Sequence, residues 1–77
     1  MAHVDLTKDN FDEVAGGSNF MIIDFWAPWC GPCKQFGPLF EETAKKYTDI
    51  TFAKVNTEEE QELATHFQIR SIPTLMI

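Results

Sequence analysis

A short segment that is apolar at both odd and even positions limits the folds open to this chain. Residues 20–26 read FMIIDFW, and Asp24 is the only charged side chain among them. A strand with one solvated face alternates between apolar and polar side chains, whereas a strand covered on both faces is apolar throughout. The pattern therefore predicts a central strand in a sheet that has helices packed on both faces.

Helix and strand patterns alternate along the rest of the chain. Apolar side chains recur at helical spacing over residues 8–15, with Thr7 as the expected cap, and from Cys33 to Tyr47. Residues 50–56 and 72–77 have the composition of strands, and a capping-box pattern over residues 57–60 predicts a helix running through residue 67. This order predicts an α/β domain of residues 1–77 with much parallel pairing.

Charge and composition narrow the classes of partner. Twelve acidic and six basic residues give a formal net charge of −6, which repels phosphate backbones and anionic lipids. The apolar runs fall far short of the roughly 20 residues of a membrane span. The N-terminal sequence lacks the pattern of a secretion signal, and two cysteines cannot form the multi-bridge framework of a small secreted domain. We expect no nucleic-acid or membrane partner and a reducing, cytoplasmic location.

Both cysteines lie directly after the predicted central strand, in the sequence WCGPCK of residues 29–34. At the start of a helix, side chains at i and i+3 face the same way and can be bridged without moving the backbone. Cys30 lies before or in the first turn, where free N–H groups and the helix dipole favour a thiolate, and Lys34 adds positive charge. Cys30 is the predicted nucleophile, and Cys33 is predicted to resolve a mixed disulfide.

Four residues are predicted to support these thiols. Gly31 allows the backbone of a partner to approach closely, and Pro32 suits an early helix position. Asp24 is expected to be buried near the thiols, where burial raises the pKa of its carboxyl. We interpret it as a proton acceptor for Cys33, the alternative being a solvated charge at the end of a strand. The ammonium group of Lys54 could either tune Asp24 or extend into solvent.

Two other readings of the cysteine pair stay open at this point. A zinc site uses the same spacing but needs two further ligands, and His3 and His66 are neither paired nor at ligand spacing. We therefore expect no metal site. A structural pair of buried cysteines is the second alternative. Of the two tryptophans, Trp29 is the predicted docking surface beside the nucleophile, whereas Trp26 is expected to pack in the core.

Residues 26–34, WAPWCGPCK, resemble the active-site segment of the thioredoxin family. The resemblance extends to Asp24, Pro38, Lys54 and residues 72–74, and it covers essentially all 77 residues. It implies a three-layer α/β/α fold with a mixed sheet, in which the last strand runs antiparallel to the central one. Alternation of strands and helices alone would have suggested a parallel arrangement there.

The resemblance also implies an activity and its partners. It implies a protein disulfide reductase that acts on disulfide-containing proteins and binds no cofactor. A flavoprotein thioredoxin reductase that draws on NADPH would reduce its Cys30–Cys33 disulfide. The bond between Ile72 and Pro73 would be cis beside the thiols, with the Ile72 backbone pairing to an extended substrate segment. The Gly-Pro pair between the cysteines is similar to that of the reducing members of the superfamily rather than the isomerases.

Family members carry a further strand and a closing helix after the position of Ile77. We therefore expect an incomplete C-terminal edge, whose uncovered strand and sheet face would recruit a second copy of the chain. The alternative to reductase activity is a binding or self-associating module that keeps the fold but is redox-inactive or only weakly active.

Overall fold

The computed structural model describes residues 3–77; Met1 and Ala2, which the predicted domain and the analysis of the N-terminal sequence include, lie outside the described residues. The elements in chain order are β1 (His3–Asp5), α1 (Phe11–Gly16), β2 (Met21–Trp26), α2 (Gly31–Lys46), β3 (Thr51–Asn56), α3 (Gln61–His66) and β4 (Thr74–Met76). Over the described range, none of the helices is long and apolar enough to cross a bilayer.

The strands form one mixed sheet in the order β1-β3-β2-β4. Strand β3 pairs in parallel with both β1 and β2, and β4 runs antiparallel to β2. The prediction of a central strand is confirmed, because β2 has a neighbour on each side. In this register Asp24 lies opposite Lys54 on one side and opposite Leu75 on the other.

The side chains of β2 point alternately to the two faces of the sheet, and helices cover both faces, which gives the predicted three layers. Ile23 and Phe25 join a core on one face of the sheet, to which helix α1 contributes Phe11 and helix α3 contributes Leu63. The opposite face packs against α2, where the ring centroids of Phe40 and Phe52 lie 5.2 Å apart. Phe25, Ala53 and Val55 are fully excluded from solvent. Because both alternations are covered, a segment with apolar side chains throughout is stable at this position.

The N-terminal part of the chain differs from the prediction in two ways. Strand β1 was not predicted; it pairs with β3, with His3 opposite Phe52. The first helix begins at Phe11 rather than at residue 8, and its N-cap residue is Asn10. The Thr7 hydroxyl accepts a hydrogen bond from the Asn10 backbone N–H at 3.2 Å. Thr7 therefore closes the turn before the helix instead of capping it.

The predicted capping box over residues 57–60 is wrong. Helix α3 begins at Gln61, and its N-cap residue makes no side-chain cap hydrogen bond. The Thr57 hydroxyl instead donates to the backbone oxygen of Trp26 at 3.1 Å. The side-chain oxygen of Asn56 accepts from the backbone N–H of Glu58 at 3.0 Å. These two bonds hold residues 57–59 in a turn, so the helix starts later than the local pattern indicates.

Candidate active site

The two cysteines lie where strand β2 leads into helix α2. Cys30 is the N-cap residue of the helix, with extended backbone angles, and Pro32 follows in the first turn. The Sγ atom of Cys30 accepts a hydrogen bond from the backbone N–H of Cys33 at 3.2 Å. One of the unpaired N–H groups at the helix start is thus directed at this sulfur, which is an arrangement that favours negative charge on it.

Cys30 and Cys33 are joined in a disulfide, with their Cα atoms 5.2 Å apart. The two residues are 5% and 4% exposed, so both sulfur-bearing residues are buried in this oxidised state. The cover comes from a small apolar cluster to which Ala27, Trp26 and Ile72 contribute. Among residues 3–77, no group of three or more His, Cys, Asp or Glu side chains is placed to hold a metal ion.

The surface beside the disulfide combines an exposed ring, an open glycine and a backbone carbonyl. Trp29, next to Cys30, is 68% exposed. A Cβ atom added at Gly31 would meet nothing within 4 Å, so this position faces open space. The Ile72 carbonyl oxygen lies 3.9 Å from the Cys30 sulfur, and the Ile72–Pro73 peptide bond is cis. Trp26 is partly buried and packs against the cysteine cluster, as expected.

Asp24 is the most buried charged residue of this region. It is 1% exposed, and its Oδ1 atom has no hydrogen-bond partner in the part of the chain that the structure describes. The alternative of a solvated charge at a strand end is therefore wrong. Burial raises the pKa of the Asp24 carboxyl, the positive charge of Lys54 lowers it, and the negative charge of Glu41 raises it.

The alternative in which the Lys54 ammonium group extends into solvent is wrong, and its positive charge lowers the pKa of Asp24. The Lys54 side chain is only 10% exposed, and its Nζ atom lies 2.8 Å from Oε2 of Glu41 on helix α2. The same ammonium group lies 4.9 Å from the ring centroid of Trp26. The hydrogen bond from Lys54 lowers the pKa of Glu41. Sequence reasoning missed Glu41, for which the signal was its spacing of two helical turns from Cys33.

This arrangement supports reversible two-electron chemistry at sulfur. A dithiol at the start of a helix exchanges with another disulfide through a mixed-disulfide intermediate. A buried carboxyl with a raised pKa holds a proton more readily than a solvated one and can therefore take part in proton transfer. The exposed Trp29 ring and the Ile72 carbonyl provide a surface next to the cysteines on which another chain could dock.

Comparisons with known proteins agree with this chemistry. The family model described as Thioredoxin matches residues 2–77. Putative thioredoxin 2 of Streptomyces coelicolor is 58% identical over 74 residues, which are 96% of this chain and 55% of that protein. Thioredoxin 1 of Synechococcus elongatus is 50% identical over 66 residues, covering 84% of this chain and 62% of that protein. Thioredoxin of Mycoplasmoides gallisepticum is 41% identical over 76 residues, covering 99% of this chain and 75% of that protein.

Solved structures give the same result. A thioredoxin of Plasmodium falciparum superposes with a TM-score of 0.88 at 38% identity, covering 94% of this chain and 72% of that one. A thioredoxin of Malassezia sympodialis superposes with a TM-score of 0.85, also at 38% identity, covering 95% of this chain and 66% of that one. The chain thus spans between 55% and 75% of the length of the three relatives named above.

Proposed function

Because the chain belongs to the thioredoxin family, we propose that it is a protein disulfide reductase that works by dithiol–disulfide exchange at Cys30 and Cys33. The position of the Cys30 sulfur at the N-terminus of α2, where it accepts the Cys33 N–H, is the observation that carries the proposal. The relatives named thioredoxin support it. The alternative is a binding module of the same fold that does not turn over.

The first step is attack of the reduced chain on its substrate. The Cys30 thiolate forms a bond to one sulfur of a protein disulfide, and the bond between the two substrate sulfurs breaks. The leaving substrate sulfur takes up a proton, and a mixed disulfide joins Cys30 to the substrate. The N–H group of Cys33 and the helix dipole stabilise the Cys30 thiolate before the attack.

The second step releases the reduced substrate. Cys33 gives up its proton and its sulfur bonds to that of Cys30, the mixed disulfide breaks, and the second substrate sulfur leaves as a thiolate that takes a proton from solvent. The chain is oxidised to the Cys30–Cys33 disulfide by two electrons, and the substrate gains two electrons and two protons. Asp24 is the proposed acceptor for the Cys33 proton, because its buried carboxyl has a raised pKa.

Docking of the substrate is assigned to the surface beside Cys30. Trp29 is exposed and would pack against the substrate, while the Ile72 carbonyl beside the Cys30 sulfur would accept a main-chain hydrogen bond from an extended segment. Pro73 fixes the backbone that presents this carbonyl. Gly31 leaves space for the approaching chain, and Pro32 suits the first turn of the helix.

The remaining assignments follow from the same chemistry. The partners are disulfide-containing proteins and a thioredoxin reductase, whose NADPH would supply electrons indirectly. A reductase of this kind belongs in a reducing compartment, and we assign the chain to the cytoplasm. We also assign residues 1–77 to a single domain, since the sheet of the described residues joins strands from both ends of the chain.

Catalysed reduction of insulin disulfides with dithiothreitol as the electron donor tests the proposal. The wild-type chain is expected to accelerate the reduction at substoichiometric concentration, and the Cys30→Ser variant is expected to match the uncatalysed rate. A wild-type chain that is folded by circular dichroism but gives only the uncatalysed rate would favour the binding module.

Cys30 should be the more reactive thiol of the reduced chain. The helix N-terminus acts on its sulfur, whereas Cys33 lies inside the helix. With limiting iodoacetamide at neutral pH, we expect Cys30 to be labelled at least about tenfold faster than Cys33. Peptide mapping by mass spectrometry measures the ratio. Preferential labelling of Cys33 would reverse the assigned roles.

We also propose that the chain self-associates through an apolar groove between α2 and the sheet. Leu39, Tyr47 and Leu75 line the groove and are 63%, 52% and 51% exposed, and other lining residues include Ile22, Phe36 and Phe52. Within residues 3–77, strand β4 has a neighbour on one side only. A second copy offers the same edge and the same groove, so a two-fold contact would pair the strands and cover the groove together.

Sedimentation over a concentration series tests the self-association. We expect the mean mass to rise with concentration, and to rise further at high salt, because salt screens the repulsion between chains of charge −6. Leu39→Gln should weaken the association, whereas the control Glu42→Gln, on the same helix but outside the groove lining, should not. A monomeric mass at every concentration and salt condition contradicts the proposal.

A further inference from the structure

One cation and two carboxyl groups lie between helix α2 and the sheet. Asp24 and Lys54 are adjacent across the parallel strands β2 and β3. Glu41 reaches Lys54 from α2, with 2.8 Å between Nζ and Oε2. The buried Oδ1 atom of Asp24 has no hydrogen-bond partner among the described residues. The hydrogen bond of the ammonium group therefore goes to the helix carboxylate, although the strand carboxyl is its neighbour in the sheet.

We propose that Glu41 is a positioning residue for the proton transfer at Cys33. By binding Lys54, it holds the ammonium group against α2 and out of an ion pair with Asp24, so that Asp24 can accept and return a proton in every cycle. This role rests on the reductase function proposed above. Glu41 acts through Lys54 and has no part in binding substrate.

The packing around Lys54 fixes its ammonium group at this place. Gly37 lies one helical turn before Glu41, and a Cβ atom there would be 3.6 Å from Lys54 Nζ and 3.8 Å from Glu41 Oε2. A side chain larger than a methyl group at that position would push the pair apart. On another side, the ammonium group lies 4.9 Å from the Trp26 ring centroid. The Lys54 side chain is 10% exposed and that of Glu41 is 42% exposed, so solvent screens this ion pair less than a fully exposed pair.

The charges around Asp24 shift the pKa of its carboxyl in the direction that this role of Glu41 requires. Burial raises the pKa of Asp24, Lys54 lowers it, and Glu41 raises it. Glu41 therefore acts twice in the same direction, through its own negative charge and by holding Lys54 at the helix. Removing Glu41 should lower the pKa of Asp24, since the raising charge is lost and the freed ammonium group can approach the carboxyl.

Other charged groups lie near the ion pair on β1 and on α2. His3 on β1 and Lys45 on α2 act on Glu41, and both lower its pKa after the larger effect of its hydrogen bond to Lys54. On the β4 side, the residue opposite Asp24 is the uncharged Leu75. The two cysteines do not titrate while they form the disulfide. The oxidised chain therefore isolates the effect of Glu41 and Lys54 on Asp24.

Carboxyl carbon NMR of the oxidised chain measures the titration of Asp24 without any turnover. We expect Glu41→Ala to move the Asp24 midpoint to lower pH, Glu41→Gln to do so less, and Lys54→Met to move it to higher pH. Glu42→Ala is the matched control, because Glu42 is the next residue of the helix and lies near the exposed Lys45 instead. In the Lys54→Met background, Glu41→Ala should have a smaller effect, since part of its action passes through Lys54.

The pH profile of insulin reduction gives a second readout. If Glu41 had a merely structural role, its removal would leave this profile unshifted. The acidic limb should shift to lower pH in Glu41→Ala and to higher pH in Lys54→Met. An Asp24 midpoint unchanged in Glu41→Ala, or shifted equally in Glu42→Ala, overturns the role of Glu41 while an active wild type keeps the proposed function. An inactive wild type overturns the proposed function itself, whatever the titration of Asp24 shows.

Discussion

Replacing Cys33 with serine should convert the chain from a catalyst into a trap for its substrates. Cys30 keeps its place at the start of α2 and can still attack a protein disulfide, but no second thiol is present to resolve the product. We expect catalysed insulin reduction to fall by about three orders of magnitude or more. A one-to-one mixed disulfide between Cys30 and the substrate should accumulate, visible as a heavier species on non-reducing electrophoresis.

The Cys30→Ser variant is the matched control for this experiment. It removes the same sulfur chemistry from the other position, so it should lose turnover without accumulating a stable mixed disulfide. Dithiothreitol should release the substrate from the Cys33→Ser adduct. Undiminished turnover by Cys33→Ser, or equal trapping by both variants, would contradict the assigned order of attack and resolution.

Replacing Asp24 with asparagine should slow the resolving step without abolishing the attack. The amide cannot take the proton of Cys33, while the stabilisation of the Cys30 thiolate by the helix N-terminus is unchanged. We expect release of substrate from the mixed disulfide to slow by about a hundredfold. Rapid-quench mass spectrometry would separate the two steps. A slower attack with normal resolution would assign Asp24 to Cys30 instead.

The same substitution should stabilise the fold at neutral pH. The pKa of Asp24 is raised above 3.8, so the folded chain holds more protons than the unfolded chain just above pH 3.8. The free energy of unfolding of the wild type therefore falls as the pH rises from 3.8 to the pKa of Asp24 in the folded chain. Above that pKa the full loss of stability is present. The asparagine side chain does not titrate, so the variant does not lose stability in this way. The denaturant midpoint of Asp24→Asn should exceed that of wild type at pH 8 and approach it below pH 3.8.

An exposed aspartate provides the control for the stability measurement. Asp9 lies on the surface in the turn before α1. Asp9→Asn should leave the denaturant midpoint within experimental error of wild type at both pH values, since surface substitutions usually have small effects. A large destabilisation by Asp24→Asn at pH 8 would identify the carboxylate as a structural partner rather than a desolvated acid.

The features predicted from sequence are those that a local pattern determines. Apolar side chains on both alternations of β2 predicted a central strand with two covered faces, and Asp24 within that run was predicted to be buried. Helical spacing after the cysteines predicted the amphipathic α2, although the helix begins at Gly31 rather than at Cys33. The antiparallel direction of β4 was predicted from the family resemblance, because the alternation of strands and helices alone suggests a parallel strand.

The features that sequence reasoning missed depend on contacts between distant segments. Strand β1 covers only His3–Asp5, too short for a periodic pattern, and exists because it pairs with β3. The Thr57 hydroxyl donates to the backbone oxygen of Trp26 at the end of β2, a competing bond that the local capping pattern does not reveal. The spacing of Glu41 from Cys33 is a signal in the sequence, but it does not give the partner of the carboxylate. Only the packing of α2 on the sheet places it against Lys54.

Whether Cys30 and Cys33 exchange electrons with a protein disulfide is decided by a stoichiometric reaction. The fully reduced wild-type chain is mixed with excess insulin in the absence of any other reductant, quenched with acid and analysed by mass spectrometry. We expect each chain to lose two hydrogens, to form the Cys30–Cys33 disulfide and to reduce one insulin disulfide. Insulin disulfides that stay intact while Cys30 and Cys33 remain reduced would contradict this electron exchange.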